Sequence, residues 1–302
     1  RDRDSQCRAG YPIMSSQYPI IAVTGSSGAG TSTTGRAFNK LFDSEGLRAA
    51  TVSGDSFHRY TRDEMALVAE RGDYGEFNHF SLEANHIDKL EALFQDFAST
   101  GTGQYREYVH DDDRELIAAG YEPGSFTPWQ NLPTEPDLLF YEGLHGGVQT
   151  EQHDVAGHVD LLIGVVPIVN LEWIQKIHRD TNHRGYSQDE VVETILNRME
   201  DYVQDIVPQF SNTHINFQRV PTVDTSNPFV VSEVPTADES MIVVHFRHYA
   251  DVDFQRLLQM ISGSFMSRQD TIVIPGPKLP LAIDLILRPR ILELMEHKRY
   301  AW

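Results

Sequence analysis

The chain has 302 residues, 40% hydrophobic and 23% charged, with a single cysteine and a net charge of −19. Length and composition predict an ordinary globular chain, built as one large α/β domain or two small ones. Cys7 alone excludes an intrachain disulfide framework, a cysteine zinc site and an internal redox switch; the acidity argues against a nucleic-acid partner, since phosphate backbones reward Lys and Arg; and no apolar run reaches the roughly 20 residues that span a bilayer.

In chain order, residues 1–17 read as a polar, disordered tail without the apolar stretch of a secretory leader, with Met14 as a candidate start just before the first strand. Tyr18 to Thr24 is the first strand, apolar enough to be covered on both faces. Gly25-Ser26-Ser27-Gly28-Ala29-Gly30-Thr31-Ser32-Thr33 follows, and Thr34 to Phe42 reads as helix. A second strand, Ala49 to Ser53, runs into Asp55, His58 and Arg59, and Ser81 opens a helix whose apolar face is Leu82, Ile87, Leu90, Leu93, Phe94 and Phe97. Residues 100–136 form an irregular connection in which Asp111 to Asp113 reads as a solvated helix N-terminus. Asp137 to Gly143 and Val159 to Pro167 are buried strands, and Leu171 to Asp180 is helical. Ser187 and Glu190 form a capping box for the helix carrying Val191, Val192, Ile195, Leu196, Met199 and Val203. Strands at Met241 to Phe246 and Thr271 to Ile274, then amphipathic helices after Leu279, complete the chain. Strands alternating with helices and no long linker predict a single α/β domain over residues 18–302.

The loop carries the chemistry. Strand, glycine-rich turn and helix N-terminus form a phosphate cradle, because backbone N–H groups and the helix dipole converge on one point. Gly25-x4-Gly30-x-Ser32 matches Walker A spacing except that Thr31 replaces the lysine. Glu142 ends a later strand where a metal-binding acid would sit, so Ser32 and Glu142 are the candidate Mg²⁺ ligands. Asp55 is either the carboxylate that orients an attacking hydroxyl and takes its proton, or the cap of the next helix. Lys176, Arg179 and Arg184 concentrate positive charge in nine residues of an acidic chain. They read either as a solvated helix end or as a lid-like segment, about 171–187, that supplies the charge Thr31 removes from the loop.

The run Lys176-Ile177-His178-Arg179-Asp180, then Arg184-Gly185-Tyr186-Ser187, resembles the signature of the phosphoribulokinase family, with Asp189 where the family has Glu. Gly25 to Thr33 resembles the loop of its bacterial type, where Thr commonly replaces the Walker lysine; Tyr141 to Gly146, Asn170 to Gln175 and Val223 to Pro228 are similar to further family motifs. The resemblance implies a P-loop NTPase fold like that of nucleoside monophosphate kinases, a mixed and mostly parallel sheet flanked by helices. It also implies a cytoplasmic enzyme of the reductive pentose phosphate cycle that uses MgATP to phosphorylate ribulose 5-phosphate at O1. By position it implies Asp55 as base, Asp180 as a second functional carboxylate, and Lys176 and Arg179 as stabilisers of the transferring group. His58, Arg62 and Arg184 would contact the sugar phosphate, Gly25 to Thr33 would hold ATP, and the assembly would be a homo-oligomer, an octamer in the bacterial type. Ala29 stands where the oxygenic-phototroph form has its regulatory cysteine, and Ser44 and Ser232-Glu233 stand where basic residues of an NADH site are expected. The competing readings are another P-loop small-molecule kinase, such as a uridine kinase relative, and a non-catalytic ATP-binding regulator.

Overall fold

The computed structural model describes residues 17–25, 31–71, 78–183, 185–230 and 233–300. In chain order these form β1 (Ile20–Thr24), α1 (Thr31–Glu45), β2 (Ala49–Ser53), α2 (Arg62–Arg71), α3 (Ile87–Thr100), β3 (Gln104–Tyr105), α4 (Arg114–Ala118), β4 (Gln130–Asn131), β5 (Leu138–Gly143) and β6 (Leu161–Val166). There follow α5 (Val169–His183), α6 (Gln188–Asn197), α7 (Met199–Asp201), β7 (Ile215–Pro221), β8 (Ser240–Phe246), α8 (Phe254–Met260), β9 (Phe265–Arg268), β10 (Thr271–Pro275) and α9 (Leu279–Tyr300).

One eight-stranded sheet organises them, in the order β2-β5-β1-β6-β7-β8-β10-β9. The first five strands run parallel, whereas β8, β10 and β9 pair antiparallel to their neighbours. Alternation along β1 divides the core. Ile21 and Val23 pack with Phe38, Phe42 and Phe140 and with α9 residues such as Ile283, Leu287 and Ile291. Ile20 and Ala22 face the other way, onto Leu90, Phe94 and Phe97 of α3. Two apolar faces need two helical layers, which is why the parallel strands read as unbroken hydrophobic runs.

Most expected elements form, and the differences have local causes. The helix expected from Ser81 starts at Ile87 instead; Ser81 caps only a short 3₁₀ turn, Leu82–Ala84. Asn85 breaks the run. It is extended (φ −127°, ψ 152°), bridges His58 as an antiparallel pair, and leaves His86 N donating to Phe57 O at 2.7 Å. The Ser187 capping box forms, but its helix stops at Asn197, and Val203 falls in a π turn, Tyr202–Ile206. Strands β7 and β9 and helix α8 are not among the expected elements: β7 is a moderately apolar run with polar Asn216, Gln218 and Arg219 inside it, and β9 is a short edge strand. The C-terminal helices are one helix, α9, which contains Pro289. The tail of residues 1–16 and the loop residues Ser26 to Gly30 lie outside the described residues.

Candidate active site

Two glycines set the geometry. A Cβ at Gly54 would stand 2.7 Å from the Gly143 α-carbon, and one at Gly143 2.6 Å from that of Gly54. Only glycine permits this approach, and it brings the turn after β2 against the end of β5. Asp55 and Glu142 therefore belong to one edge, the carboxyl ends of the parallel strands, where open α/β sheets bind ligands. Gly25 at the end of β1 joins the same edge, its N–H donating to Gly143 O at 3.2 Å.

Asp55 is not a helix cap. Ser53 caps the 3₁₀ turn Gly54–Phe57, accepting from Asp55 N at 3.3 Å. The Asp55 carboxylate, 39% exposed, instead faces two imidazoles: His58 Nε2 lies 3.1 Å from Oδ1 and His110 Nε2 lies 3.3 Å from Oδ2. Desolvation raises its pKa, but the hydrogen bonds from His110 and His58, with their charge, outweigh it and hold the carboxyl well below the usual carboxylate range. The same bond to Asp55 raises the pKa of His110. Arg106 fastens the turn from outside: its Nε donates to Ser56 O at 3.0 Å and its Nη2 to His58 O at 2.5 Å, while the guanidinium lies 3.6 Å above the Phe126 ring. Behind it are buried His145 and Asn85 and the stacked ring of His79.

Glu142 reaches across to the first turns of α1. A Cβ at Gly35 would overlap its carboxylate, so Gly35 is the gap into which that carboxylate fits. The acid thus lies one helical turn beyond Ser32 along α1, where its carboxylate could contribute oxygens to a bound cation. Among the described residues, no three His, Cys, Asp or Glu side chains gather to hold a metal by themselves. A bound ion would therefore draw further oxygens from phosphate and water.

On α5, Lys176 Nζ donates to Asp180 Oδ2 at 2.5 Å and Arg179 Nε to Oδ1 at 2.9 Å. Asp180 is 3% exposed. Burial raises its pKa, but the two cations prevail and lower it. Lys176 is lowered mainly by burial. Asn170 Nδ2 donates to Thr225 O at 2.9 Å, and Trp173 stacks on Phe229 at 5.4 Å. Two of the motifs singled out in the sequence are thereby joined. Arg62 opens α2 but pairs with Asp111, Nη1 to Oδ1 at 2.9 Å; Asp113 then sits at the start of α4, where an acidic run suits the helix dipole.

Arg184 and Ser26 to Gly30 lie outside the described residues, and Thr31, Ser32 and Thr33 are described only as the backbone opening α1. The sequence reading missed His110, Asn85, His79, Arg106 and the role of His145 as neighbours of Asp55. No spacing pattern marks them, although His145 lies in the Tyr141 to Gly146 motif and His110 precedes the Asp111 run.

A mostly parallel sheet with a Walker-spaced sequence after β1, and carboxylates at the carboxyl ends of the neighbouring strands β2 and β5, defines a P-loop kinase fold. The family described as "Phosphoribulokinase / Uridine kinase family" matches residues 20–226. The chain is 55% identical over 291 residues to "Phosphoribulokinase, chromosomal" of Cupriavidus necator, covering 95% of this chain and 99% of that one. It is 54% identical over 288 residues to "Probable phosphoribulokinase" of Escherichia coli, with the same coverages. The solved phosphoribulokinase from Rhodobacter spheroides aligns with a TM-score of 0.85 at 49% identity, over 94% of this chain and 99% of that one. The chain belongs to the phosphoribulokinase/uridine kinase family.

Proposed function

We propose that the protein transfers the γ-phosphoryl group of ATP to O1 of ribulose 5-phosphate, giving ribulose 1,5-bisphosphate and ADP. The observation that carries this reading is Asp55, an ionised carboxylate held by two histidines at the carboxyl edge of the sheet, in the turn that meets the end of β5. The full-length identity to proteins named phosphoribulokinase selects the sugar phosphate over a nucleoside.

In this reading Asp55 orients the O1 hydroxyl and accepts its proton as the O1–P bond forms and the bond from phosphorus to the ADP oxygen breaks. A low pKa suits the task, because a loose phosphoryl-transfer transition state asks little proton abstraction until late and much orientation throughout. Gly25 to Thr33 hold the ATP phosphates through backbone N–H groups. Mg²⁺ held by Ser32 and Glu142 would neutralise charge on the β- and γ-phosphates. Lys176 and Arg179, kept in place by Asp180, stabilise the transferring group in place of the lysine absent at Thr31, and Arg62 and Arg184 bind the sugar phosphate through guanidinium forks.

The reading extends to a cytoplasmic homo-oligomer, an octamer by resemblance. No helix among the described residues is long and apolar enough to cross a membrane, and Met260 and Phe265 are 52% and 51% exposed beside the sheet's β9 edge, a surface suited to contact between copies. ADP release by the purified protein with MgATP and ribulose 5-phosphate, compared with uridine, tests the assignment: turnover with the sugar phosphate alone is expected, and turnover with uridine alone overturns it. Asp55→Ala is expected to lower kcat by roughly 10²–10⁴-fold; a loss below about tenfold removes Asp55 from the role of base.

A further inference from the structure

Thr24 and Gly143 end the register that pairs β1 with β5. Beyond them the two chains part, one into the Walker-spaced loop from Gly25 and the other through Leu144 to Gly147. A single buried amide bridges them there. Gln209, 3% exposed, sits in the short 3₁₀ turn Val207–Ser211. Its Oε1 accepts from the Thr24 hydroxyl at 3.1 Å and from Gly147 N at 3.0 Å, and its Nε2 donates to Asp205 O at 2.7 Å. The partners fix which way the amide points. A backbone N–H only donates and a backbone carbonyl only accepts, so the oxygen and nitrogen of Gln209 cannot be exchanged.

Both ends of the bridge are built for it. Thr24, 1% exposed, carries one hydroxyl proton and presents it to Gln209 Oε1 and to Leu144 O, each at 3.1 Å. Gly147 has both backbone groups held by the same short segment, its N–H by Gln209 and its carbonyl by Asn212 Nδ2 at 3.0 Å. A Cβ on Gly147 would lie 3.0 Å from the Gln209 Cβ, so the two residues meet with almost no room for a side chain between them. Behind Gln209 lies the π turn Tyr202–Ile206, a rare conformation that recurs at functional sites. Its Asp205 carboxylate accepts from Leu82 N at 3.2 Å, so the amide rests on an anchored support.

We propose that Gln209 is a positioning residue that fixes the root of the ATP loop, holding Thr24 against the exit of β5 so that the loop's backbone N–H groups meet the phosphates in one geometry. Gln209 acts through Thr24 and Gly147, not by a contact with ATP. A cradle of N–H groups owes its binding to the direction of its donors. A tilt at its first residue passes to every donor beyond it, and small misplacements in such sites are costly. The proposal deepens the kinase reading and rests on its assignment of Gly25 to Thr33 to ATP.

The test measures MgADP binding to the full-length chain by titration calorimetry, with the KM for each substrate alongside. Gln209→Met keeps the length of the side chain and removes its polar atoms; it is expected to weaken MgADP about tenfold or more and to raise the KM for ATP in parallel, with the KM for ribulose 5-phosphate within about twofold. Thr24→Val keeps the shape and removes the hydroxyl, and is expected to weaken MgADP about threefold or more, whereas Thr24→Ser keeps the hydroxyl and stays within about twofold of the parent. The double variant Thr24→Val with Gln209→Met is expected to match Gln209→Met alone, because the hydroxyl then has no amide left to lose. Losses that multiply, Thr24→Val that binds like the parent, Thr24→Ser as weak as Thr24→Val, or an equal rise in both KM values overturns the proposal. Should Gln209→Met fail to fold, the two Thr24 variants decide alone. A parent chain that binds no MgADP removes the ATP reading itself, and the proposal with it; a parent that binds MgADP beside an unaffected Thr24→Val overturns the proposal and leaves the reading in place.

Discussion

Arg62 and Asp55 illustrate how differently two charged residues at one edge are held. Asp55 is gripped by two histidines, one of them buried. Arg62 forms a fork-to-fork pair with Asp111 at 2.9 and 3.0 Å, but the two side chains are 46% and 66% exposed. A pair so exposed contributes about 0–1 kcal/mol, because water and salt screen it and two long side chains lose freedom. A sugar phosphate offers the same guanidinium a doubly charged partner, so the pair is cheaply exchanged. Arg62→Ala is accordingly expected to leave the melting temperature almost unchanged while raising the KM for ribulose 5-phosphate with little effect on kcat, measured by thermal melts and steady-state kinetics. A large loss of stability would show instead that Arg62 holds the fold.

At the scale of elements, α1 and β5 meet through a missing side chain. Gly35 is buried in the second turn of α1, in space that the Glu142 carboxylate occupies. Alanine at an unobstructed helix position would add about 1 kcal/mol of stability over glycine. Here it must push Glu142 aside. Gly35→Ala is therefore expected to fold with α1 intact yet require several-fold more Mg²⁺ for half-maximal activity, a shift of about 1 kcal/mol or more in ion binding. Titration of activity with Mg²⁺, alongside far-ultraviolet circular dichroism, checks this; an unchanged Mg²⁺ requirement would detach Glu142 from the ion. The delayed start of α3 follows a similar logic. Its apolar periodicity is continuous from Leu82, but the side chain and extended backbone of Asn85 are bound to the Asp55 turn, and those bonds outweigh one more turn of helix.

Across the whole molecule, several histidines are held neutral by desolvation, His145 buried and His79 and His214 partly so. Burial pushes His79 to about 3, and His145 and His214 to about 4. Geometry agrees for His214, which accepts from Leu162 N at 2.8 Å through Nδ1 and so has no proton there. The folded-state values lie below the unfolded value of about 6.5, so between about pH 4 and 6.5 the unfolded chain binds more protons. The stability these residues contribute is complete above about pH 6.5 and is lost as pH falls through that window. Asp160, raised by burial to about 7, works in the opposite sense over about pH 4 to 7. In His214→Gln the melting temperature is expected to be lower at neutral pH and to fall less steeply on acidification than in the parent chain. Parallel melting curves across that range would remove His214 from the acid response.

Periodicity and local chemistry made the parallel half of the sheet legible. The strands at Ala49–Ser53 and Leu138–Gly143, the loop of Walker spacing and the Ser187 capping box are statements about neighbours in sequence, and the chain carries them in the order of its residues. The family signature did the same for Lys176, Arg179 and Asp180, which lie within a little more than one helical turn. The antiparallel edge was less visible, since β7 and β9 owe their pairing to strands already in place rather than to a strong pattern of their own. What surrounds Asp55 was decided only in three dimensions. His58 follows it by three residues, but Asn85, His110 and His145 arrive from separate connections, brought together by the sheet and the contact of Gly54 with Gly143. Hydrogen bonds between side chains depend on distance and direction in space, and spacing along the chain records neither once the intervening residues form a fold.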